Sequence, residues 1–280
     1  MSVEAVTDVL IATAAFRTPA KIRDGLSDPV ALDRARAELS ASAAEEISRR
    51  AEALVARGVG VLRCSQPGDF PAGLTVRGRP VVPYLYYRGD PQVLHRPSLA
   101  VSGSRDASAA ARKAAAAVGA LAATLRMPLV AGNARGVDTA AAEAAAGAGG
   151  TVILVAPEGI LRVDGDRAEQ TDGGPSVTLL SQFEPDTRWS AYNAMGRNRT
   201  ICALGAVTVV VAAGEKGGSL DAGRTALSLG RPLVVMTYPD EMPAGNAMLI
   251  EDGGVAVASA AELRTEVERA LGQPEQTTLL

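Results

Sequence analysis

The stretch that decides the fold is Leu99-Ala100-Val101-Ser102-Gly103-Ser104-Arg105, in which an apolar run passes into a small polar turn. We expect residues 99–103 to form a buried strand and the alanine-rich residues 106–126 to form a helix. A glycine at such a turn lets a ligand approach the backbone closely, and free N–H groups at the start of a helix face any anion. The turn therefore predicts an anion site built from Gly103, Ser104 and Arg105.

A regular alternation of apolar and helix-like segments follows this turn. Apolar strand-like runs occur at 99–103, 128–132, 151–156, 177–183, 206–213, 232–238 and 255–259. Helix-like segments lie between most of them, at 106–126, 136–147, 194–204, 219–229 and 260–271. Continuous apolar runs suit strands that are buried on both faces, so the alternation predicts an α/β fold with a doubly wound, mostly parallel sheet. Ligands of such sheets bind beyond the carboxyl ends of the strands, where the polar turns lie.

The rest of the chain is organised around this domain, which we place at residues 98–272. Residues 1–57 are predicted to form a small helical region. Residues 58–97 are richer in Gly and Pro and contain two short β-like runs, which indicates a connecting segment packed on the core. Residues 161–176 are predicted to be a polar surface loop, and residues 273–280 a frayed tail.

Bulk composition limits the kind of ligand and the compartment. A chain of 280 residues with 47% hydrophobic residues can bury a full core, and its formal net charge of -3 provides no global basic field. Any polyanion site must therefore be a local arginine cluster. The two cysteines, Cys64 and Cys202, lack metal-ligand spacing and favour a reducing cytoplasm. Residues 1–15 lack a basic leader, and no segment approaches the length of a membrane span, so we expect no membrane association.

The second polar turn is Gly132-Asn133-Ala134-Arg135-Gly136-Val137-Asp138, after the strand-like run at 128–132. Its glycines, Gly132 and Gly136, free the backbone, and the guanidinium of Arg135 offers a planar fork for a phosphate. Asp138 precedes or begins a helix. Two roles for Asp138 stay open at this point, a plain helix N-cap and a contact with the ligand.

The third and fourth turns repeat the pattern. The third is Gly196-Arg197-Asn198-Arg199-Thr200-Ile201 near a helix start. Helical spacing does not point both arginines the same way, so we expect at least one to touch a ligand, while the other is free to form a structural salt bridge. The fourth is Gly214-Glu215-Lys216-Gly217-Gly218-Ser219, where backbone N–H groups and a capping Ser219 form another anion cradle.

Several catalytic motifs are missing. The G-x-G-x-x-G dinucleotide fingerprint does not follow the first strand, and Lys216 precedes the glycines, which excludes a P-loop. The single histidine, His95, lies outside the α/β unit, so a serine–histidine triad or a histidine metal site is not expected. Glu143 suits a solvated helix face better than a lone acid. We expect no catalytic residues, no metal and no cofactor.

The ordered series of turns resembles the DNA-processing protein A family (DprA, also called Smf), over about residues 58–271. The match begins with Asp69-Phe70-Pro71 and Pro83-Tyr84-Leu85-Tyr86-Tyr87-Arg88-Gly89-Asp90, and Gly103-Ser104-Arg105 follows as the G-S-R turn. The segment 131–138 is similar to S-G-x-A-R-G-I-D. The remaining matches are Arg197-Asn198-Arg199-Thr200-Ile201 to R-N-R-x-I, Gly218-Ser219-Leu220 with Arg224 to G-S-L-x-x-x-R, and Gly245-Asn246 with Leu249-Ile250 and Gly253 to G-x-N-x-L-I-x-x-G.

The resemblance implies an extended Rossmann-like domain that binds single-stranded DNA, forms a homodimer and helps to load a RecA-type recombinase during natural transformation, without catalytic activity. By matching position, Gly103, Ser104 and Arg105 contact DNA phosphates. Arg135, Arg197 and Arg199 are expected to line the same basic pocket. The full candidate set for DNA or phosphate is Gly103, Ser104, Arg105, Gly132, Arg135, Gly136, Arg197, Asn198, Arg199, Gly218 and Ser219.

Two other functions stay open from the sequence. Related Rossmann-like folds bind nucleotides or hydrolyse nucleoside monophosphates, which would make the chain a nucleotide sensor or a hydrolase that uses Glu143 or Glu158. The P-G-G-x-G-T-x-x-E signature of such hydrolases is missing here. The third reading is a partner-binding protein whose pocket is vestigial.

Overall fold

We describe the fold from a computed structural model, which covers residues 1–66, 68–163, 176–239 and 242–272. Most of the polar loop predicted at 161–176 and the whole of the tail predicted at 273–280 lie outside the described residues. The division of the chain at residues 57 and 97 into separate units stays a prediction.

Four helices form the predicted N-terminal helical region. They are α1 (Val3–Phe16), α2 (Pro19–Ser27), α3 (Pro29–Ala37) and α4 (Ala41–Ala56). Each begins directly after a residue whose side-chain oxygen accepts from a backbone N–H of the first turn, and α2 and α3 also begin with proline. Asp8 of α1 is buried and ion-paired with Arg36 at 2.5 Å and with Arg63. This pairing ties α1 to the residues that follow the helical region.

The strands of the described residues are β1 (Gly60–Arg63), β2 (Thr75–Val76), β3 (Arg79–Pro80), β4 (Tyr84–Arg88), β5 (Ser98–Ser102), β6 (Leu129–Ala131), β7 (Val152–Ala156), β8 (Val177–Ser181), β9 (Gly205–Val210), β10 (Leu233–Met236) and β11 (Val255–Val257). Nine of them form one sheet in the order β1-β4-β8-β7-β6-β5-β9-β10-β11. The pairs β1–β4 and β4–β8 are antiparallel, and the pairs from β8 to β11 are parallel. The strand order reverses between β5 and β9. The loops after these two strands therefore flank the crevice in which such sheets bind ligands.

Helices cover both faces of the sheet. One face carries α1 to α4 with α5 (Ala109–Thr124), α6 (Val137–Gly147) and α11 (Ala260–Gly272). The other carries α7 (Ala191–Gly196), α8 (Asn198–Leu204), α9 (Gly218–Ser228) and α10 (Ala244–Glu251). Along β5 the buried side chains alternate between these two cores, with Leu99 and Val101 on the first face and Ala100 on the second. The predicted doubly wound, mostly parallel and Rossmann-like fold with a small N-terminal helical region is confirmed.

The alanine-rich sequence of α5 and α6 lets these helices pack closely. A Cβ atom at Gly119 of α5 would lie 2.1 Å from the carbonyl oxygen of Ala141 in α6. Ala115, Ala122 and Ala145 fill the rest of the contact as buried side chains. Small side chains at the contact thus place α6, and the loop before it, close to the sheet.

Three local predictions differ from the structure. The helix predicted at 194–204 is two helices, α7 and α8, which meet at Arg197. Helix α10 was not predicted, because a short segment with Gly245 and Asn246 has weak helix propensity. The β-like runs of residues 58–97 join the main sheet as β1 and β4 rather than packing against it.

Candidate functional site

The loops after β5, β6 and β9 are bonded to one another at the carboxyl edge of the sheet. The N–H of Ser104 donates to the carbonyl of Ala212 at 2.8 Å, and the N–H of Val137 donates to the carbonyl of Ser104 at 3.2 Å. Gly136 has a φ of +83°, and a Cβ there would lie 2.4 Å from the Ser104 oxygen. A Cβ at Gly103 would lie 2.5 Å from the Val137 side chain. Both glycines therefore allow the first two turns to touch.

Two buried charged side chains, Asp138 and Arg197, hold the loop after β6 in place by hydrogen bonds. Asp138 Oδ2 accepts from the N–H groups of Gly132 at 3.0 Å and Ala134 at 3.3 Å. Arg197 Nη2 donates to the carbonyl oxygen of Gly132 at 2.6 Å. Both charged residues are only 5% exposed. We call Gly132, Asp138 and Arg197 the brace, because they fix the Gly132 peptide through both its N–H and its carbonyl.

The brace leaves no room for a side chain at Gly132. It is also connected, through Asn198, to the loop that precedes α9. A Cβ at Gly132 would lie 1.7 Å from Arg197 Nη1. The same Nη1 donates to Asn198 Oδ1 at 3.2 Å, and Asn198 Nδ2 donates to the carbonyl of Gly218 at 3.0 Å. The loop before α9 is thus connected to the loop after β6 through Arg197 and Asn198.

The charge state of the brace follows from its surroundings. Burial raises the pKa of the Asp138 carboxyl, and the positive charge of Arg197 with the two N–H donors opposes that rise. A guanidinium stays protonated in proteins, so a charged Asp138 is the counter-ion that its burial requires. Asp138 therefore has neither of the two roles left open by the sequence, a helix N-cap or a contact with the ligand. The N-cap of α6 is Gly136, and the Asp138 carboxylate points into the loop rather than to solvent.

Exposed side chains lie on the loops after β5 and β6 and on the segment that leads to Arg197. The Arg105 guanidinium carbon lies 5.3 Å from the centroid of the Trp189 ring, within the range of a cation–π contact. Trp189 is 51% exposed and Tyr192, at the start of α7, is 86% exposed. Arg135 Nη2 donates to Asp106 Oδ1 at 2.8 Å, and both side chains are largely exposed. We call Arg105, Arg135, Trp189 and Tyr192 the rim.

The candidate residues from the sequence thus divide into three groups. Arg105 and Arg135 are on the rim, with Ser104 between them and half-buried. Buried or loop-packing positions are occupied by Gly103, Gly132, Gly136, Arg197 and Asn198. Gly218 and Ser219 begin α9. Arg199 lines a depression together with Arg77 and Arg79, and none of the other candidate residues lines it. The structure therefore does not gather all the candidate arginines in one pocket.

Sequence reasoning missed the aromatic half of the rim. Trp189 is the single tryptophan of the chain, and only 3% of the residues are aromatic. A tryptophan followed by Tyr192 in a polar segment directly after a strand was the available signal. Large aromatic rings in such a position have no core to enter, so their exposure at the carboxyl edge could have been inferred.

Within residues 1–66, 68–163, 176–239 and 242–272, no group of three or more His, Cys, Asp or Glu side chains could hold a metal ion. Glu143 is exposed on α6. Burial raises the pKa of the Cys202 thiol to about 12, so it is not a thiolate nucleophile near neutral pH. In the part of the chain described by the structure, no helix has the length and apolar character needed to cross a bilayer.

Two curated proteins are similar to this chain over about two thirds of its length. Protein Smf of Escherichia coli is 32% identical over 187 residues, which cover 64% of this chain and 49% of Smf. DNA processing protein DprA of Streptococcus pneumoniae is 30% identical over 190 residues, 66% of each chain. The chain therefore spans about half the length of Smf and about two thirds of the length of the S. pneumoniae protein.

Solved structures and a family model agree with these relatives. The X-ray structure of DprA from S. pneumoniae superposes with a TM-score of 0.67 at 22% identity and covers 95% of this chain and 93% of that chain. DNA processing protein A from Helicobacter pylori superposes with a TM-score of 0.63 at 23% identity, over 75% of this chain and 96% of that one. These likenesses show the fold. The family model for DNA recombination-mediator protein A matches residues 62–268, and the chain therefore belongs to that family, DprA/Smf.

Proposed function

We propose that this chain binds single-stranded DNA at the rim as a recombination mediator of the DprA/Smf type. The observation that carries the proposal is the contact between Arg105 and the half-exposed ring of Trp189, at the ligand-binding edge of the sheet. A cation and an exposed aromatic face side by side match a nucleotide, whose phosphate needs the cation and whose base needs the ring. The solved H. pylori relative, whose structure concerns its own single-stranded DNA binding mode, supports the same ligand.

The rim would hold a strand by backbone and base contacts without reading sequence. Arg105 and Arg135 supply guanidinium groups for two phosphates, and Arg135 exchanges its exposed Asp106 partner for one of them. Bases stack on Trp189 and Tyr192, a contact that every base can make. The brace contributes by keeping the loops in place before the strand arrives, which lowers the ordering cost of binding.

The remaining parts of the proposal are supported by family membership alone. We infer that the chain acts in the cytoplasm as a homodimer, without catalysis, and helps to load a RecA-type recombinase onto the bound strand. Dimerisation would join two rims on one strand and raise affinity without new contacts. This compensates for a body whose formal net charge is -3 and therefore does not attract DNA as a whole.

Fluorescence anisotropy of a labelled 30-mer tests the proposal. The protein is titrated into single-stranded and duplex forms at two salt concentrations, together with Arg105→Ala and, as a matched control, Arg34→Ala. Arg34 is an exposed arginine on α3 that pairs with Glu38. We expect a preference for the single strand that weakens with salt. In Arg105→Ala, the magnitude of the logarithmic salt slope should fall by about 0.7, the value of one phosphate contact.

Two outcomes would contradict the proposal. One is equal binding of single strand and duplex, and the other is an Arg105→Ala titration that matches Arg34→Ala. Unlabelled DNA and a free mononucleotide can also be compared as competitors of the labelled 30-mer. If the mononucleotide displaces the 30-mer as well as unlabelled DNA does at the same nucleotide concentration, the result favours the nucleotide-sensor function instead.

A further inference from the structure

A second group of arginines lines an open depression of about 340 Å³ away from the rim. Its arginines come from three separate parts of the chain, namely α2, the β2–β3 hairpin and α8. They are Arg23, Arg77, Arg79 and Arg199. The other lining residues are Val76, Pro80, Val81, Ser228 and Leu229. None of the described residues that line the depression is acidic, so its lining combines concentrated positive charge with a few apolar side chains.

Most of this charge is uncompensated. Among the described residues, the side chains of Arg77, Arg79 and Arg199 form no hydrogen bond or ion pair, whereas that of Arg23 is paired with its neighbour Asp24 at 2.9 Å. Like charges in one concavity repel one another, and low-dielectric walls strengthen the field that they produce. An anion bound in the depression would relieve this repulsion, and Asp24 is the described carboxylate that would compete for Arg23.

The hairpin presents its arginines from a tight turn. Val76 pairs with Arg79, and the two residues between them, Arg77 and Gly78, have φ angles of +50° and +72°. Such a turn favours Gly, Asn or Asp at both central positions, because other side chains are strained there. Arg77 at the first position therefore makes the turn less stable than Gly, Asn or Asp would. Strain of this kind is typical of positions where the side chain has a function.

The depression is joined to the rim by two helices. Arg199 lies in the first turn of α8, two residues after Arg197 of the brace. Helix α9 packs against α8 and runs from Gly218, which Asn198 binds, to Ser228, which lines the depression. The 11 residues of α9 span about 15 Å at about 1.5 Å per residue. A single strand that crosses this helix face can touch both sites.

We propose that the depression is a second phosphate-binding site, and that it takes the backbone of the same single strand whose other part lies at the rim. This inference rests on the proposed function. The arginine forks match phosphates, and the apolar side chains of Val76 and Pro80 in the lining offer contact area to bases. The depression would therefore lengthen the bound segment and fix the direction in which the strand leaves the rim.

The test removes the hairpin charges while keeping the side-chain stems. Arg77→Gln/Arg79→Gln is compared with wild type and with Arg34→Gln/Arg264→Gln, which removes two exposed, ion-paired arginines on α3 and α11. Anisotropy is measured for a 6-mer and a 30-mer at two salt concentrations. We expect the hairpin variant to bind the 30-mer about tenfold more weakly than the control variant. Its logarithmic salt slope should be smaller in magnitude by about 1.4, for two lost phosphates. The gain in affinity from 6-mer to 30-mer should shrink accordingly.

A base-free probe separates the inference from the proposed function. Tripolyphosphate without DNA should raise the melting temperature of the hairpin variant clearly less than that of wild type and of the control variant, because only the rim arginines remain to bind it in the hairpin variant. If the 30-mer binds wild type and the hairpin variant behaves as the control does, the second site is wrong and the proposed function stands. If wild type binds no 30-mer but tripolyphosphate stabilises it through Arg77 and Arg79, the proposed function is wrong and the phosphate site stands. If ATP stabilises through the same arginines while 30-mer affinity is unchanged in the hairpin variant, the site serves free nucleotides and its part in strand binding is overturned.

Discussion

The brace and the rim use the same residue type at the same edge of the sheet for opposite purposes. Arg197 is 5% exposed and bonds the Gly132 carbonyl, whereas Arg105 is exposed and lies against Trp189. A buried cation is costly unless its partners are in place, so the folded state depends on Arg197. An exposed cation contributes little to stability and remains available to a ligand. The comparison shows that an arginine in a phosphate-binding motif can serve the loop rather than the phosphate.

The largest effect is expected when the brace loses one charge. Arg197→Ala leaves the Asp138 carboxylate buried without its counter-ion and the Gly132 carbonyl without its donor. We expect the free energy of unfolding in urea to fall by about 3–5 kcal/mol. Arg105→Ala should change it by less than about 0.5 kcal/mol. Similar losses in the two variants would remove the distinction between brace and rim.

A smaller loss of stability is expected when the space for the guanidinium is filled. In Gly132→Ala the new Cβ would lie 1.7 Å from Arg197 Nη1, so the side chain has to move away from the carbonyl that it binds. The expected cost is about 1–3 kcal/mol in chemical denaturation. Gly147→Ala is the control, because no atom lies within 4 Å of a Cβ at that helical position. It should be neutral or slightly stabilising, and a destabilisation as large as that of Gly132→Ala would contradict the steric explanation.

The rim is expected to show the reverse pattern, with affinity lost and stability kept. Trp189→Ala removes a stacking surface that is 51% exposed. Affinity for a single-stranded 30-mer should fall by about 1–3 kcal/mol, while the melting temperature stays within error of wild type. Met242→Ala, at another exposed apolar side chain, serves as the control for lost surface hydrophobicity. Equal affinities for the two variants would show that bases do not stack at the rim.

The smallest effect is a gain in affinity. Asp106→Ala releases Arg135 from an exposed ion pair and removes a negative charge next to the proposed phosphate position. Affinity for the single strand should rise by up to about 1 kcal/mol, with little change in stability. Glu38→Ala also removes a carboxylate from an exposed arginine pair, but on α3, and should leave binding unchanged. Weaker binding by Asp106→Ala would mean that Asp106 positions Arg135 rather than competing for it.

The fold was accessible from sequence because its signals are local and repeated. Apolar runs such as the one at 206–213 alternate with helix-like segments, and each contributes an independent indication of a buried parallel strand. Helix α10 carries no such signal. It is fixed by the fully buried Asn246, whose side chain bonds the backbone of Val211, Ala213 and Met236. Bonds of that kind join residues far apart in the chain and leave no periodic pattern.

The turns of the site were predicted from the sequence, but which of their residues are buried and structural and which are exposed was not. The G-S-R and A-R-G turns do come together at the carboxyl edge, as sheet topology requires. Helical spacing predicts that Arg197 and Arg199 point in different directions, but it does not predict which of the two is buried. Two residues of separation place Arg197 under the loop after β6 and Arg199 in another depression. Motif matching alone cannot distinguish these two positions.

The pairing of β5 with β9 at the centre of the sheet has a consequence for synthesis on the ribosome. The partners Leu99 and Val207 are roughly a hundred residues apart in the chain. At about 5–20 residues per second, β5 waits roughly 5–20 s for its neighbour after it has been translated. The brace also waits for a late part of the chain, because Arg197 lies only ten residues before Val207. During that interval one edge of β5 is open to non-native pairing.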